Sequence, residues 1–405
     1  MRRGRILDPM IEEETAADRE RRLARRLRET VAHARANSAY FRRTLPERVE
    51  RLEQIPITRK DDVPALQAAD PPFGGLLAVE PSRLARIFAS PGPILDPQGD
   101  VEDFWRFRMA LAAAGFLPGD VALNSASYHL TPLGFMLDSG ARSLGCVVVP
   151  AGTGQTELQV KIAATLRATA YLGTPSFLYA LLKRGRELGT PLQIEVAFVT
   201  AEMLPDSLRA ELENDFEVRV LQGYGTADLG LLAYECTEKG GMHLHPECIV
   251  EVLDLETGTP AAPGHPGQIV ATIFDPAYPL LRFATGDIGA MAPPARCGCG
   301  RTAPKLAGLL GRMGDAVKVK GMFIRGAEIE KALKAFPAVA RFQAIVTRDH
   351  HQDHLEYVLE VAPDATVDLA LVADALRDAV KVRGEVRTGT VPENAKRIDD
   401  RRVWK

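Results

Sequence analysis

Between residues 104 and 224 helix-like and strand-like segments alternate, and this alternation restricts the chain to few architectures. Phe104 to Gly115 has a helical period and Val121 to Ser127 reads as a strand. Cys146-Val-Val-Val-Pro150 is extended and Glu157 to Ala170 helix-like; Ser176 to Leu188 is helical, Val196-Ala-Phe-Val-Thr200 extended, Asp206 to Phe216 helical and Val218 to Leu221 extended. Strands separated by helices of this length predict a mostly parallel sheet covered on both faces, an α/β fold. In such sheets ligands sit beyond the carboxyl ends of the strands, which directs attention to the loops after Thr200 and Leu221.

After Asp228 the pattern changes. Ile249-Val-Glu-Val-Leu253, Gln268-Ile-Val-Ala-Thr-Ile273 and Leu280-Leu-Arg-Phe283 are strand-like and separated by Pro and Gly turns, which predicts a small β subdomain over about 235–311. Beyond Gly311 the expected order is strand, helix (Gly326 to Ala335), strand (Arg341 to Thr347), strand (Leu355 to Val361) and helix (Val367 to Val380), a small α+β lid. The expected domains are 1–312 and 313–405. At the other end Leu23, Leu27 and Val31 recur every four residues along a charged stretch, which places them on one face of an amphipathic helix.

With 46% hydrophobic and 25% charged residues in 405, the chain can bury one large core and a smaller second one. A net charge of −3 gives no basic field for nucleic acid, and no apolar run is long enough for a membrane span. Met1-Arg-Arg-Gly-Arg5 opens a segment without the apolar core of a signal peptide, so a cytoplasmic location is expected. Four of the five cysteines, Cys236, Cys248, Cys297 and Cys299, fall in one segment; in a reducing compartment such a cluster reads as a metal site rather than a disulfide framework.

Four short segments carry the chemistry: Leu221-Gln-Gly-Tyr-Gly-Thr-Ala-Asp-Leu-Gly230, Leu281-Arg-Phe-Ala-Thr-Gly-Asp-Ile288, Gly311-Arg-Met-Gly-Asp315 and Lys318-Val-Lys-Gly321. In this order they resemble the nucleotide-handling motifs of the adenylate-forming acyl-CoA synthetase superfamily, in particular its phenylacetate-CoA ligase-like members. The N-terminal helix and Leu52-Glu-Gln-Ile-Pro-Ile-Thr-Arg-Lys-Asp61 are similar to the opening of those ligases. The resemblance implies ATP-dependent activation of a carboxylic acid, aryl or otherwise compact, and transfer to CoA. It assigns Asp287 to the ribose hydroxyls, Tyr224 between Gly223 and Gly225 to the adenine, Asp228 to Mg²⁺, Ala201-Glu202 to the adenine pocket, Arg312 to the ribose and Asp315 to the hinge. Ala227 stands where the family has a hydroxyl that reaches the α-phosphate, and Thr226 is the neighbouring candidate.

Two places depart from the pattern. The family's Ser/Thr/Gly-rich phosphate loop is replaced by Phe88-Ala-Ser-Pro-Gly-Pro-Ile-Leu-Asp-Pro97, which keeps Ser90 and Gly92 but puts Pro91 and Pro93 where amide donors belong. At the C-terminus one register puts Asn394 at the position of the catalytic lysine and the shifted register makes Lys396 the candidate. These departures keep open a homologue that binds an acyl or adenylate-like ligand without adenylating it. An enzyme that passes the acyl group to an amine or a carrier-protein thiol is also open, as is a homodimer.

Cys297-Gly-Cys299, with Cys236 and Gly241-Met-His243, resembles a zinc-containing branch of the same group and implies a structural Zn²⁺; His245 or Cys248 could replace His243. For the acid, Tyr128, His129 and Phe177 lie in segments that align with the acyl pocket of related ligases.

Overall fold

The computed structural model describes residues 3–90, 94–313, 316–349, 352–362, 365–392 and 395–402. The chain divides into two compact units, Met1–Ala201 with Ala210–Gly311, and Glu202–Arg209 with Arg312–Lys405.

After a single helical turn at Pro9–Glu12 the first unit has the long helix Ala16–Asn37, capped by Thr15, whose Oγ1 accepts from the Asp18 amide at 3.2 Å. It buries Leu27, Val31 and Ala34, continuing the expected apolar face by one turn. Next come the two-residue strand β1 (Thr58–Arg59) and an antiparallel hairpin of β2 (Leu84–Ser90) and β3 (Ile94–Gly99). The crossover region supplies β4 (Val121–Asn124), β5 (Val147–Pro150), β6 (Ala170–Gly173), β7 (Val196–Val199) and β8 (Arg219–Thr226). β5, β4, β6, β7 and β8 are adjacent in that order and all parallel; the alternation predicts a mostly parallel sheet, whereas the order and the strand β6 are not read from the sequence.

The chain then turns into β9 (Gly230–Tyr234), β10 (Met242–Leu244), β11 (Cys248–Leu253), β12 (Gly267–Ile273), β13 (Phe283–Met291) and β14 (Lys305–Arg312). These strands continue the parallel ones: β8 pairs antiparallel with β9, and the order runs on through β10, β14, β13 and β12 to β11. β1 joins by pairing parallel with β13, Thr58 opposite Phe283. One core, with Phe107, Leu111, Phe198 and Leu221, underlies the parallel strands; another, with Leu27, Phe41, Leu229, Ile269 and Phe283, fills the antiparallel part.

The strand β6 was not expected, and among the boundaries that move two are instructive. The helix predicted to reach Ala170 runs only Thr156–Thr165, because Ala170 already belongs to β6, pairing with Ala122. The strand predicted from Leu280 begins at Phe283. Arg282 has a positive φ of 44°, which breaks extended backbone, and its buried guanidinium is committed to Glu251 and to the carbonyls of Glu53 and Ile55.

The second unit contains the hairpin of β15 (Ala316–Val319) and β16 (Met322–Arg325), the helix Gly326–Leu333, the long pair β17 (Val339–Asp349) and β18 (Gln352–Val361), the helix Leu369–Val380, and the edges β19 (Glu385–Thr388) and β20 (Ile398–Asp400). Val319, Ile324, Ile329, Val346, Leu359 and Leu376 form its core. No helix among the described residues is long and apolar enough to cross a membrane.

Candidate active site and metal centre

The turn from β8 to β9 is built by residues that leave no space for side chains. A Cβ on Gly223 would lie 2.5 Å from the Phe198 ring, and one on Gly225 would meet the Gly230 carbonyl. The Thr200 hydroxyl, at the end of β7, donates to the Gly223 carbonyl at 2.8 Å and ties the two strand ends together. The Thr226 hydroxyl accepts from the Leu229 amide at 3.2 Å and so closes the turn. Trp105 and Arg106 brace it from below: the Leu231 amide donates to the Trp105 carbonyl at 3.1 Å, and the Arg106 guanidinium donates to the Leu229 carbonyl.

Asp287 lies within β13 rather than beyond its end. Gln268 pairs with Ile288 and Val270 with Ala284, so Thr285, Gly286 and Asp287 all face the single residue Ile269. They form a bulge, which Gly286 permits at φ +80°. The Thr285 hydroxyl accepts from the Asp287 amide at 3.0 Å, and the Tyr224 hydroxyl lies 2.9 Å from Asp287 Oδ2 and 3.1 Å from Thr285 Oγ1. Tyr224 is buried and Asp287 half-buried.

Behind the turn is a second group of charges. Asp228 is 6% exposed and its Oδ2 accepts an ion-paired hydrogen bond from Lys60 Nζ, while its Oδ1 has no hydrogen-bond partner among the described residues. Lys60, itself 8% exposed, follows β1, whose pairing with β13 sets its position. Asp96 on β3 is 3% exposed; the Ser90 hydroxyl and the Asp228 carboxylate lie beside it, but neither of its carboxylate oxygens makes a hydrogen bond of normal geometry among the described residues. Burial first, and then the facing Asp228 carboxylate, push Asp96 well above the usual carboxylate range, with Lys60 opposing.

The sequence singled out neither Lys60 nor Asp96. A signal existed for Asp96: Ile94, Asp96 and Gln98 share one phase of the strand alternation, and all three are buried. A carboxylate on a strand's inward face needs a chemical reason.

Ser90 is buried and pairs with Ile94 where the β2–β3 hairpin closes; its hydroxyl is 3.5 Å from the Ile94 carbonyl. Gly92 and Asp315 lie outside the described residues. Ala201 follows β7 with φ 71°, and Glu202 begins the stretch that belongs to the second unit. Arg312 ends β14, also in the second unit. Lys396 there is exposed just before β20, its carbonyl accepting from Gln343 at 3.2 Å. Tyr128 and Phe177 follow the adjacent strands β4 and β6 and are half-buried, whereas His129 is exposed. The Tyr128 hydroxyl accepts from Asn124 at 2.7 Å and donates to Asp138 at 3.0 Å. Burial and the Asp138 carboxylate push the Tyr128 phenol well up, so it stays protonated.

Cys236, His243, Cys297 and Cys299 converge, with one ligand atom from each within 4.8 Å of the others. Cys236 follows β9, His243 is on β10 and both later cysteines are in the loop between β13 and β14. The Sγ atoms of Cys236 and Cys297 are 3.6 Å apart, and Cys299 Sγ is 3.5 Å from His243 Nε2. Two thiolates on a tetrahedral zinc are about 3.8 Å apart, so these spacings suit that ion and exclude a disulfide. His243 Nδ1 lies 3.2 Å from the Ala303 carbonyl, a contact that fixes the tautomer and leaves Nε2 to face the thiols. His245 and Cys248 are not in the group; both are buried, His245 just after β10 and Cys248 at the start of β11, with the Cys248 thiol 3.4 Å from the His245 carbonyl.

Residues 109–272 match the model of a family described as AMP-binding enzyme. A phenylacetate-coenzyme A ligase of Thermus thermophilus is 32% identical over 362 residues, covering 83% of this chain and 80% of the relative. The Escherichia coli ligase of the same name is 26% identical over 385 residues, 88% of this chain and 85% of its own. Among solved structures, a 2-hydroxyisobutyryl-CoA ligase in complex with 2-HIB-AMP and CoA superposes with a TM-score of 0.89 at 22% identity, covering 97% of this chain and 92% of that one, which shows a shared fold. The chain therefore belongs to the phenylacetate-coenzyme A ligase family of AMP-binding enzymes.

Proposed function

We propose that the protein is an AMP-forming acid–thiol ligase of the cytosol that activates a compact or aryl carboxylic acid with ATP and transfers the acyl group to CoA. The observation that supports this best is the Asp287 carboxylate on its bulge, held by the Tyr224 hydroxyl beside a glycine-lined turn. A carboxylate so presented is suited to accept hydrogen bonds from both hydroxyls of a ribose.

In the first half-reaction a carboxylate oxygen of the acid attacks the α-phosphorus of ATP, the bond to the β-phosphate bridge breaks, and pyrophosphate leaves. In the second, the CoA thiol attacks the acyl carbonyl, loses its proton, and AMP leaves. Asp287 and Arg312 would hold the ribose; Tyr224, Ala201 and Glu202 would flank the adenine. Ser90 and Gly92 would meet the phosphates, and Lys396 would neutralise charge during adenylation. Tyr128, His129 and Phe177 would line the acid's side of the site. Mg²⁺ held through Asp228 would supply charge neutralisation of the phosphates. Two half-reactions at one carbonyl are served by a lid that reorients about a hinge at Asp315.

A structural Zn²⁺ on Cys236, His243, Cys297 and Cys299 fits the donor set and would cross-link two strands and a loop. The rival reading, an acyl-binding homologue without adenylation, draws on Pro91 and Pro93 in the phosphate loop. Acid-dependent pyrophosphate release tests the choice: release with CoA-thioester formation supports the ligase, and nucleotide binding without release supports the rival.

A further inference from the structure

Lys60, Asp96 and Asp228 enclose more negative than positive charge. One ammonium faces two carboxylates, all three groups are at least nine-tenths buried, and three carboxylate oxygens, both of Asp96 and Oδ1 of Asp228, make no hydrogen bond of normal geometry among the described residues, although the Ser90 hydroxyl lies near Asp96 and the two carboxylates lie against each other. Two buried carboxylates that face one another need a further positive charge, supplied by a proton or by a metal. The Tyr278 phenol, buried beside the same pair, brings no charge, and both carboxylates push it well up after burial itself.

We propose that Asp96 and Asp228 are paired ligands of one divalent cation, with Lys60 fixing the Asp228 carboxylate through Oδ2 so that Oδ1 is turned to the ion. Asp96 is the third residue of β3, the strand that follows the altered loop, and a carboxylate there acts on a phosphate only through a bound cation. Mg²⁺ is commonly held by one or two carboxylates together with substrate phosphates, and the polyphosphate would offset the added charge beside Lys60. What the cation does rests on the adenylating function proposed above; that it binds this pair does not.

The test uses zinc-replete protein, so that the thiol site is filled, and Mn²⁺ as the probe, read by its EPR signal with and without saturating ATP. AMP is titrated in parallel without metal. For Asp96→Asn the expected result is Mn²⁺ affinity lowered by about tenfold or more, with AMP affinity unchanged. Asp228→Asn, a second variant in case the first fails to fold, is expected to show the same loss. Mn²⁺ affinities within about twofold of the wild type in a folded variant would overturn the site and leave the acid pair sharing a proton; so would a wild type that binds no Mn²⁺ in either arm. Failure of AMP to bind while the Mn²⁺ contrast persists would remove the nucleotide-handling reading and leave the cation pair in place.

Discussion

The Tyr224 hydroxyl lies 2.9 Å from Asp287 Oδ2, although β9, β10 and β14 separate their strands along the sheet. The sheet curls enough to bring the end of β8 against the β13 bulge, and this contact, with that of the same hydroxyl to Thr285, links the two ends of the candidate site.

That contact gives a graded prediction. Tyr224→Phe removes a hydrogen bond to a carboxylate and should weaken AMP binding by about tenfold, or 1.4 kcal/mol, by calorimetric titration. Asp287→Ala should abolish AMP binding with an unchanged melting temperature. Unchanged AMP affinity in Asp287→Ala would remove Asp287 from the ribose.

Gly225→Ala should impair binding by a steric route. The added methyl meets the Gly230 carbonyl, so the turn must open and carry Tyr224 with it. AMP affinity should fall at least as far as in Tyr224→Phe. Affinity equal to the wild type would mean that the turn adapts freely and does not position the ring.

One zinc per chain is expected by elemental analysis of protein purified without added chelator. Cys297→Ser and Cys236→Ser should each lower zinc content and melting temperature, whereas Cys248→Ser should leave the zinc in place because that thiol is outside the group. Zinc lost from Cys248→Ser but retained in Cys297→Ser would contradict the four-ligand assignment.

Arg282→Ala should destabilise the first unit by about 3–5 kcal/mol in denaturant unfolding, since it leaves the Glu251 carboxylate without its bidentate partner in a buried setting and frees the Glu53 and Ile55 carbonyls. Arg282→Met, similar in length, should lose nearly as much. A loss within about 0.5 kcal/mol would show the pair to be as weak as a surface one.

That the sheet is mostly parallel was legible because alternating periods leave one simple way to cover it, but its strand order and the four-residue strand β6, read as the end of a helix, were not. The β13 bulge was not: it depends on Gly286 adopting a positive φ opposite Ile269, and a Thr-Gly-Asp triplet reads as a turn without its partner strand. Residue type alone grouped Cys236, Cys248, Cys297 and Cys299, and the resemblance picked Cys236, Cys297 and Cys299 with His243; separating His243 from His245 and Cys248 needed β10, whose pairing orients one ring toward the thiols and leaves the other apart. Lys60 and Asp96 were missed for a related reason. Each is an unremarked charge in its own segment, and only β1 pairing with β13 and the β2–β3 hairpin bring them to Asp228.

The most direct measurement is pyrophosphate release by zinc-replete protein with ATP and Mg²⁺ across aryl and short-chain acids, with CoA thioester quantified by mass spectrometry in the same reactions. The account predicts release that depends on the acid, thioester that depends on CoA, and loss of both in Asp287→Ala. AMP binding without release for any acid would contradict it and establish a ligase-family fold that holds its ligand without activating it.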